Sequence, residues 1–272
     1  MADNGLKIGF IGAGKMANAL AAAILRGRLA QSQDIICSDP LSERLNTLQK
    51  QLGVMVTQDN QEVFRRSDVV VLAFKPQNFP EAIEGMESVV RPEQIIISIM
   101  AGVRIARIQQ YLPARLVRVM PNTPCLVGEM AAGFAVAENV TETDLKTVRA
   151  ILQPAGVALQ VPEQQLDAVT GLSGSGPAFV AYLIENFITA GISEELQEET
   201  ARQLALKTFA GTARLLSEWD LSPRELIEMV SSPGGTTVAG REILESSNVK
   251  DSIINTIKRA AQRSRELGQD DG

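Results

Sequence analysis

None of the 272 residues is histidine. That absence excludes an imidazole general acid or base, a Ser–His or Cys–His dyad, and any zinc site needing an imidazole ligand. Cysteine is almost as scarce. Cys37 and Cys125 are too few for a disulfide framework or a thiolate metal site, and they fit buried thiols in a reducing cytoplasm. No metal is expected. No charged stretch followed by an apolar core opens the chain, and no apolar run reaches membrane-spanning length. Neither export nor a membrane partner is therefore expected. A net charge of -6 and a pI ≈ 5.0 offer no basic footprint for nucleic acid. One Trp and two Tyr leave packing to aliphatic side chains and Ala. A chain of this length predicts two domains.

What is present starts with a glycine turn. Lys7-Ile8-Gly9-Phe10-Ile11 reads as a strand, Gly12-Ala13-Gly14-Lys15-Met16-Ala17 follows it, and a helix is predicted over Ala17–Leu29. Gly12 permits a tight turn, Gly14 lets backbone approach phosphates, and Ala17 keeps the helix close to the sheet. A dinucleotide pyrophosphate would rest on the free N–H groups at the helix start. The second strand, Ile35–Ser38, ends beside Asp39, where ribose hydroxyls are normally read. NAD or NADP binding is implied, against the alternative of an ordinary strand–turn–helix.

Further strands are predicted over Val54–Thr57, Val69–Phe74, Ile95–Met100, Leu116–Met120, Ala132–Ala137 and Val157–Val161. Between them lie helical patterns over Ser42–Gln51, Phe79–Val89, Arg104–Tyr111 and Asp144–Leu152, the last opened by Thr141 or Thr143. Such alternation predicts an α/β, doubly wound, parallel sheet of Rossmann type. After Pro162 the strand signal ends. Helices are predicted over Gln164–Thr170, Pro177–Ala190, Glu194–Glu218, Pro223–Val230, Val238–Ser246 and Val249–Leu267. The expected division is a dinucleotide-binding domain over 1–162 and an all-α domain over 163–272, with fraying from Gly268 on. Leu204, Leu206, Phe209, Ala213 and Leu216 give the helical half more apolar surface than it can cover alone, which predicts self-association.

Loops after the carboxyl ends of parallel strands line a cofactor crevice. Here they are Lys75-Pro76-Gln77, Met100-Ala101-Gly102 and Met120-Pro121-Asn122-Thr123-Pro124. Two glycine-rich segments in the helical half, Gly171-Leu172-Ser173-Gly174-Ser175-Gly176-Pro177 and Ser231-Ser232-Pro233-Gly234-Gly235-Thr236-Thr237, each precede a helix. Consecutive glycines ahead of a helix expose N–H groups in a nest for a carboxylate or phosphate. The alternative for each is a tight interhelical turn. Because the first glycine turn serves the dinucleotide, a second nest points to an anionic substrate.

Taken together, Ile8–Ala17, Lys75-Pro76, Met120–Pro124, Gly171–Ala178 and Ser232–Thr237 resemble the ordered motifs of pyrroline-5-carboxylate reductases, over essentially the whole chain. The resemblance implies reduction of 1-pyrroline-5-carboxylate to L-proline with NADPH or NADH. It also implies a helical dimerisation domain, dimers that in the family are often assembled into decamers, and active sites that join the cofactor domain of one subunit to the helical domain of another. Carried over by position, Ser232, Gly234, Gly235 and Thr236 hold the substrate carboxylate, and Thr237 is the catalytic residue that meets the imine nitrogen. Gly12, Gly14, Lys15, Met16, Ser38, Asp39, Asn60, Lys75, Pro76, Ala101 and Asn122 are the implied cofactor contacts. Asp39 stands where many relatives have Ser or Asn, and its carboxylate is expected to accept from the ribose hydroxyls and to weaken NADPH selectively, against the alternative of a turn or cap residue ahead of Pro40 and the helix. Met229 stands where some relatives have Asn.

Two rival readings differ in what they need. A β-hydroxyacid dehydrogenase uses a helical Lys with an Asn one turn later, yet Pro177–Asn186 has no Lys, and Lys207 has no amide beside it. A cofactor-sensing protein without turnover has no use for Ser232–Thr237.

Overall fold

A computed structural model describes residues 5–268. These pack as two units, one formed by the chain up to Ser175 with the segment from Arg259 onward, the other by Gly176–Lys258.

The first unit contains β1 (Ile8–Ile11), α1 (Lys15–Arg26), β2 (Ile35–Ser38), α2 (Ser42–Leu52), β3 (Met55–Thr57), α3 (Asn60–Arg66) and β4 (Val69–Leu72). It continues through α4 (Phe79–Ile83), β5 (Ile95–Ser98), α5 (Ile105–Gln109), β6 (Arg115–Met120), β7 (Met130–Val136), α6 (Glu142–Leu152), β8 (Gly156–Gln160) and α7 (Leu166–Val169). The strands form one sheet in the order β3-β2-β1-β4-β5-β6-β7-β8. Strand order steps outward both ways from β1 and β4, which creates the crevice where a dinucleotide lies in such sheets.

Both faces of the central strands β1, β2, β4 and β5 are buried, which is why these read as unbroken apolar runs, while β3 and β8 at the edges are partly open. Side chains alternate between faces, so Val69 and Val71 enter one core while Val70 and Leu72 enter the other. Ile95 and Ile97 divide from Ile96 in the same way.

One departure is topological. β7 runs antiparallel to β6, with Val119 opposite Phe134, so the sheet is mostly but not wholly parallel. Residues 121–129 hold only a short 3-10 turn (Thr123–Val127), and a parallel return needs a longer crossover, usually a helix. β8 is then parallel to β7 because α6 supplies such a crossover.

Other departures are local. The helix expected over Phe79–Val89 stops at Ile83 because Gly85 takes the left-handed conformation at φ 74. α3 was not expected; the Asp59 carboxylate caps it, accepting from Gln61 N at 2.8 Å. Thr141, not Thr143, caps α6 in a capping box with Asp144. Burial would raise the Asp144 carboxyl, but hydrogen bonds from the Thr141 hydroxyl and backbone and from Arg115 outweigh it and hold the pKa below the ordinary value.

The second unit contains α8 (Gly176–Ser193), α9 (Glu198–Glu218), α10 (Pro223–Met229), α11 (Thr236–Ser246) and the first half of α12 (Val249–Leu267). α10 starts with Ser222 in a capping box with Glu225, as its sequence predicts. α9 begins at Glu198, four residues late, because Glu195 is left-handed at φ 66. Packing divides the chain at Gly176, whereas the strand signal ends at Pro162. Leu166 is fully buried in the core of the first unit, and the Ser264 hydroxyl of α12 donates to Asp167 at 2.6 Å. Gly268 is held by its N–H on Ser264 O; the fraying expected for residues 269–272 lies outside the described residues.

Candidate functional site

Gly12 ends β1 at φ 100, and its N–H donates to Ser38 O at 2.7 Å. A Cβ there would lie 2.6 Å from Ala73 O, so only glycine fits. Gly14 is the N-cap of α1, extended, and no side chain caps the helix. A Cβ on Gly14 would meet no protein atom within 4 Å. An uncapped helix start beside an open glycine face fits a dinucleotide pyrophosphate. Ala17 is fully buried against the sheet, Lys15 is exposed and Met16 is half-buried.

At the end of β2, the Ser38 hydroxyl donates to Asn60 Oδ1 at 2.6 Å, and Asn60 Nδ2 donates to Ala82 O at 2.9 Å. These two expected adenosine-end residues therefore meet. The orientation of Asp39 differs from expectation. Its side chain is turned inward and the residue is 4% exposed. Oδ2 accepts from Ala13 N at 2.9 Å and Oδ1 from Leu41 N at 2.9 Å, with Arg44 Nη1 at 3.4 Å from Oδ2. A carboxylate so engaged braces the glycine turn instead of presenting free oxygens to a ribose. The bond to Leu41 N is the local turn left open by the sequence, whereas the bond to Ala13 N depends on the fold, because Ala13 and Asp39 meet across two strands.

Cys37, beside Ser38, is buried, and burial pushes its thiol up to about 12. Burial also raises Cys125 against a weaker pull from Arg26. Neither thiol supplies a nucleophile near neutral pH.

Lys75 precedes the 3-10 turn Pro76–Asn78 after β4 and is exposed, as is Ala101 after β5. Both stand beyond the carboxyl ends of parallel strands. Asn122 is buried, and its amide joins two backbone groups, donating to Ser173 O at 3.1 Å and accepting from Ala131 N at 2.9 Å.

In the second unit, the segment before α11 is an open nest. Gly234 is left-handed at φ 70, Gly235 is the N-cap, and no side chain caps α11. Ser232, Thr236 and Thr237 are exposed. A Cβ on Gly235 would lie 2.5 Å from the Ser232 hydroxyl oxygen, so glycine is needed for Ser232 to fold over the turn. The N–H groups of the first turn of α11 therefore face outward with no internal partner, which suits an anion.

The other glycine-rich segment is different. Thr170–Gly174 forms a turn of π-helix running toward α8, and Ser175 N donates to Thr170 O at 2.8 Å. Its N–H groups are drawn into helical bonds, so the expected nest is not formed. A Cβ on Gly174 would lie 2.9 Å from Met120 Cε, so that glycine serves close packing.

Sequence reasoning passed over one residue here, Arg241. Its Nη1 donates to Ser231 Oγ at 3.4 Å. The available signal was its spacing, one helical turn beyond Thr237. Lys207 is exposed on α9, and Leu206, Thr208 and Phe209 beside it carry no amide of the kind a hydroxyacid dehydrogenase base is paired with.

The apolar surface of the helical unit is large. Leu204 and Leu206 on α9 are exposed, as are Tyr182 and Phe187 on α8. Phe209 meets Phe187 edge-on at 5.0 Å between ring centroids. Among the described residues, no helix is long and apolar enough to cross a membrane, and no group of three or more potential side-chain ligands gathers for a metal.

Residues 163–267 match the family model described as pyrroline-5-carboxylate reductase dimerisation, and residues 7–102 match one described as NADP oxidoreductase, coenzyme F420-dependent. The chain is similar to the pyrroline-5-carboxylate reductase of Methanosarcina acetivorans, with 40% identity over 97% of this chain and 98% of that protein. The Arabidopsis thaliana pyrroline-5-carboxylate reductase is 36% identical over 97% and 96%. Among solved structures, a pyrroline-5-carboxylate reductase from Coxiella burnetii superposes with a TM-score of 0.92 at 32% identity, covering 97% of this chain and 99% of that one. The Plasmodium falciparum pyrroline carboxylate reductase, solved with NADP bound, gives 0.86 at 30% identity, covering 97% and 98%.

Proposed function

The chain belongs to the pyrroline-5-carboxylate reductase family, and from that membership we infer that it reduces 1-pyrroline-5-carboxylate to L-proline with NADPH or NADH. The observation that carries the reading to this chain is its pair of glycine turns leading into uncapped helices, at α1 and at α11. One suits a dinucleotide pyrophosphate and the other a small carboxylate.

The proposed cofactor contacts are Gly12, Gly14, Lys15 and Met16 at the phosphates, Ser38 and Asn60 at the adenosine end with Asp39 bracing the turn behind them, and Lys75, Pro76 and Ala101 along the nicotinamide. Asn122 buttresses that region through backbone. When bound, the reduced nicotinamide supplies a hydride to the imine carbon. Ser232, Gly234, Gly235 and Thr236 hold the carboxylate on the start of α11, and this fixes the ring. The Thr237 hydroxyl bonds the imine nitrogen and orients it. A protonated imine is already electrophilic, so orientation and a fixed anion site suffice, and a chain without histidine can supply both.

The helical domain mediates self-association. Assembly of dimers into a decamer, a cytoplasmic location, and a division of labour between residues 1–162 for the cofactor and 163–272 for substrate and dimerisation complete the proposal. The test is substrate choice. The protein should oxidise NADPH or NADH with 1-pyrroline-5-carboxylate and should not reduce NAD or NADP with 3-hydroxyacids; the reverse pattern overturns the reading.

A further inference from the structure

Arg241 reaches back from α11 to the turn that precedes it. Thr237 and Arg241 stand one helical turn apart and share a face. The Arg241 side chain is 34% exposed, and its Nη1 donates to Ser231 Oγ at 3.4 Å. Ser231 Oγ donates in turn to Ile227 O at 2.6 Å, so α10, the turn and α11 are linked through one hydroxyl. Arg241 Nε is buried and lies 3.0 Å from Glu245 Oε1, but its N–H is not aligned on that carboxylate and has no hydrogen-bond partner among the described residues.

A guanidinium is charged at every relevant pH and carries five N–H donors in a rigid fork. At Arg241 that fork is under-used, and it lies against the residue preceding Ser232. The start of a helix offers only about half a positive charge, carried by its free N–H groups. The Arg241 cation, one turn along the same face, adds to that field the part of its charge that the ion pair with Glu245 leaves unscreened, and its bond to Ser231 fixes where the turn leaves α10.

We propose that Arg241 is a positioning residue of the substrate site, which holds the Ser231–Gly235 turn in place and adds the charge that selects carboxylate-bearing cyclic imines over uncharged ones. The inference rests on Ser232–Thr237 being the carboxylate site. Arg241 does not touch the reacting atoms, so its removal acts on KM and not on kcat.

The test compares wild type, Arg241→Leu and Arg241→Lys on two substrates at saturating NADPH. One is 1-pyrroline-5-carboxylate; the other is 1-pyrroline, the same ring without the carboxylate. For Arg241→Leu, KM for the carboxylate substrate should rise about three- to tenfold with kcat within about twofold, and kcat/KM for 1-pyrroline should not change. Added salt should raise the wild-type KM more than that of Arg241→Leu. Arg241→Lys keeps the charge and loses the fork, so an intermediate KM is expected, and it serves if the Leu variant fails to fold. Equal losses on both imines, or an unchanged KM for the carboxylate substrate, would overturn the inference while leaving the functional reading intact. Wild-type protein that reduces neither imine overturns the functional reading itself.

Discussion

Replacing Asp39 by Asn keeps the shape of the side chain and removes its charge. In the native protein the two carboxylate oxygens accept separately from Ala13 N and Leu41 N, both at 2.9 Å, in a site only 4% exposed. An amide has one acceptor oxygen, so one of the two N–H groups is left facing an NH₂ donor. A hydrogen bond to a charged acceptor contributes about 1.5–3 kcal/mol, and a buried donor without a partner loses its solvation as well. Arg44 Nη1, at 3.4 Å, loses its counter-charge too, but at 55% exposure that pair contributes little. The expected fall in stability is therefore about 1.5–3 kcal/mol, or roughly 3–12 °C in Tm for a chain of this size. Because Ala13 lies between Gly12 and Gly14, the pyrophosphate turn loses its preorganised shape, and KM should rise about tenfold for NADH and NADPH alike. The assay is initial-rate kinetics with each cofactor at one ionic strength, paired with thermal unfolding. If Asp39 instead faced the ribose, its removal would relieve repulsion of the 2′-phosphate, so KM for NADPH would fall and Tm would hold. That result would refute the brace.

Thr237→Ala should lower kcat/KM by about 10- to 100-fold, from roughly 1–3 kcal/mol of lost transition-state bonding, with cofactor affinity intact; steady-state kinetics and NADPH titration check both. Thr237→Ser should keep much of the activity. Leu206→Glu places a charge on the exposed α9 face and should dissociate the oligomer; light scattering at micromolar concentration reads this, and stable wild-type monomer would contradict the assignment. Asp144 has a lowered pKa in the folded state, so its contribution is full above the ordinary value and is lost as pH falls through the lowered one. Asp144→Asn should cost about 1–2 kcal/mol at neutral pH and flatten the acid side of a denaturation profile.

Features written in contiguous residues were legible in the sequence. The strand β1, the turn at Gly12 and Gly14, and the capping box at Ser222 and Glu225 each depend on neighbours a few positions away, and each appears where the pattern places it. Elements that depend on distant partners were not. The reversal of β7 follows from what residues 121–129 lack, a crossover helix, and the apolar run Met130–Val136 reads alike in either direction. Asp39 is a plausible ribose ligand by position and a brace by orientation, and only its meeting with Ala13 across the sheet distinguishes the two. The segments at Gly171 and Gly234 look alike in composition. Their backbones differ, because Ser175 N bonds Thr170 O while the first turn of α11 has no cap. Arg241 escaped notice because a lone Arg on a helix is usually a solvated residue.

One chain should carry both a dinucleotide site and a carboxylate nest for the reduction of a cyclic imine. Quantifying L-proline and oxidised cofactor in the same reaction, started by adding 1-pyrroline-5-carboxylate to protein and NADPH, tests it most directly. One L-proline is expected for each NADPH oxidised, with neither L-proline nor oxidised cofactor formed when the imine is omitted. Cofactor bound by folded protein with no L-proline formed would contradict it.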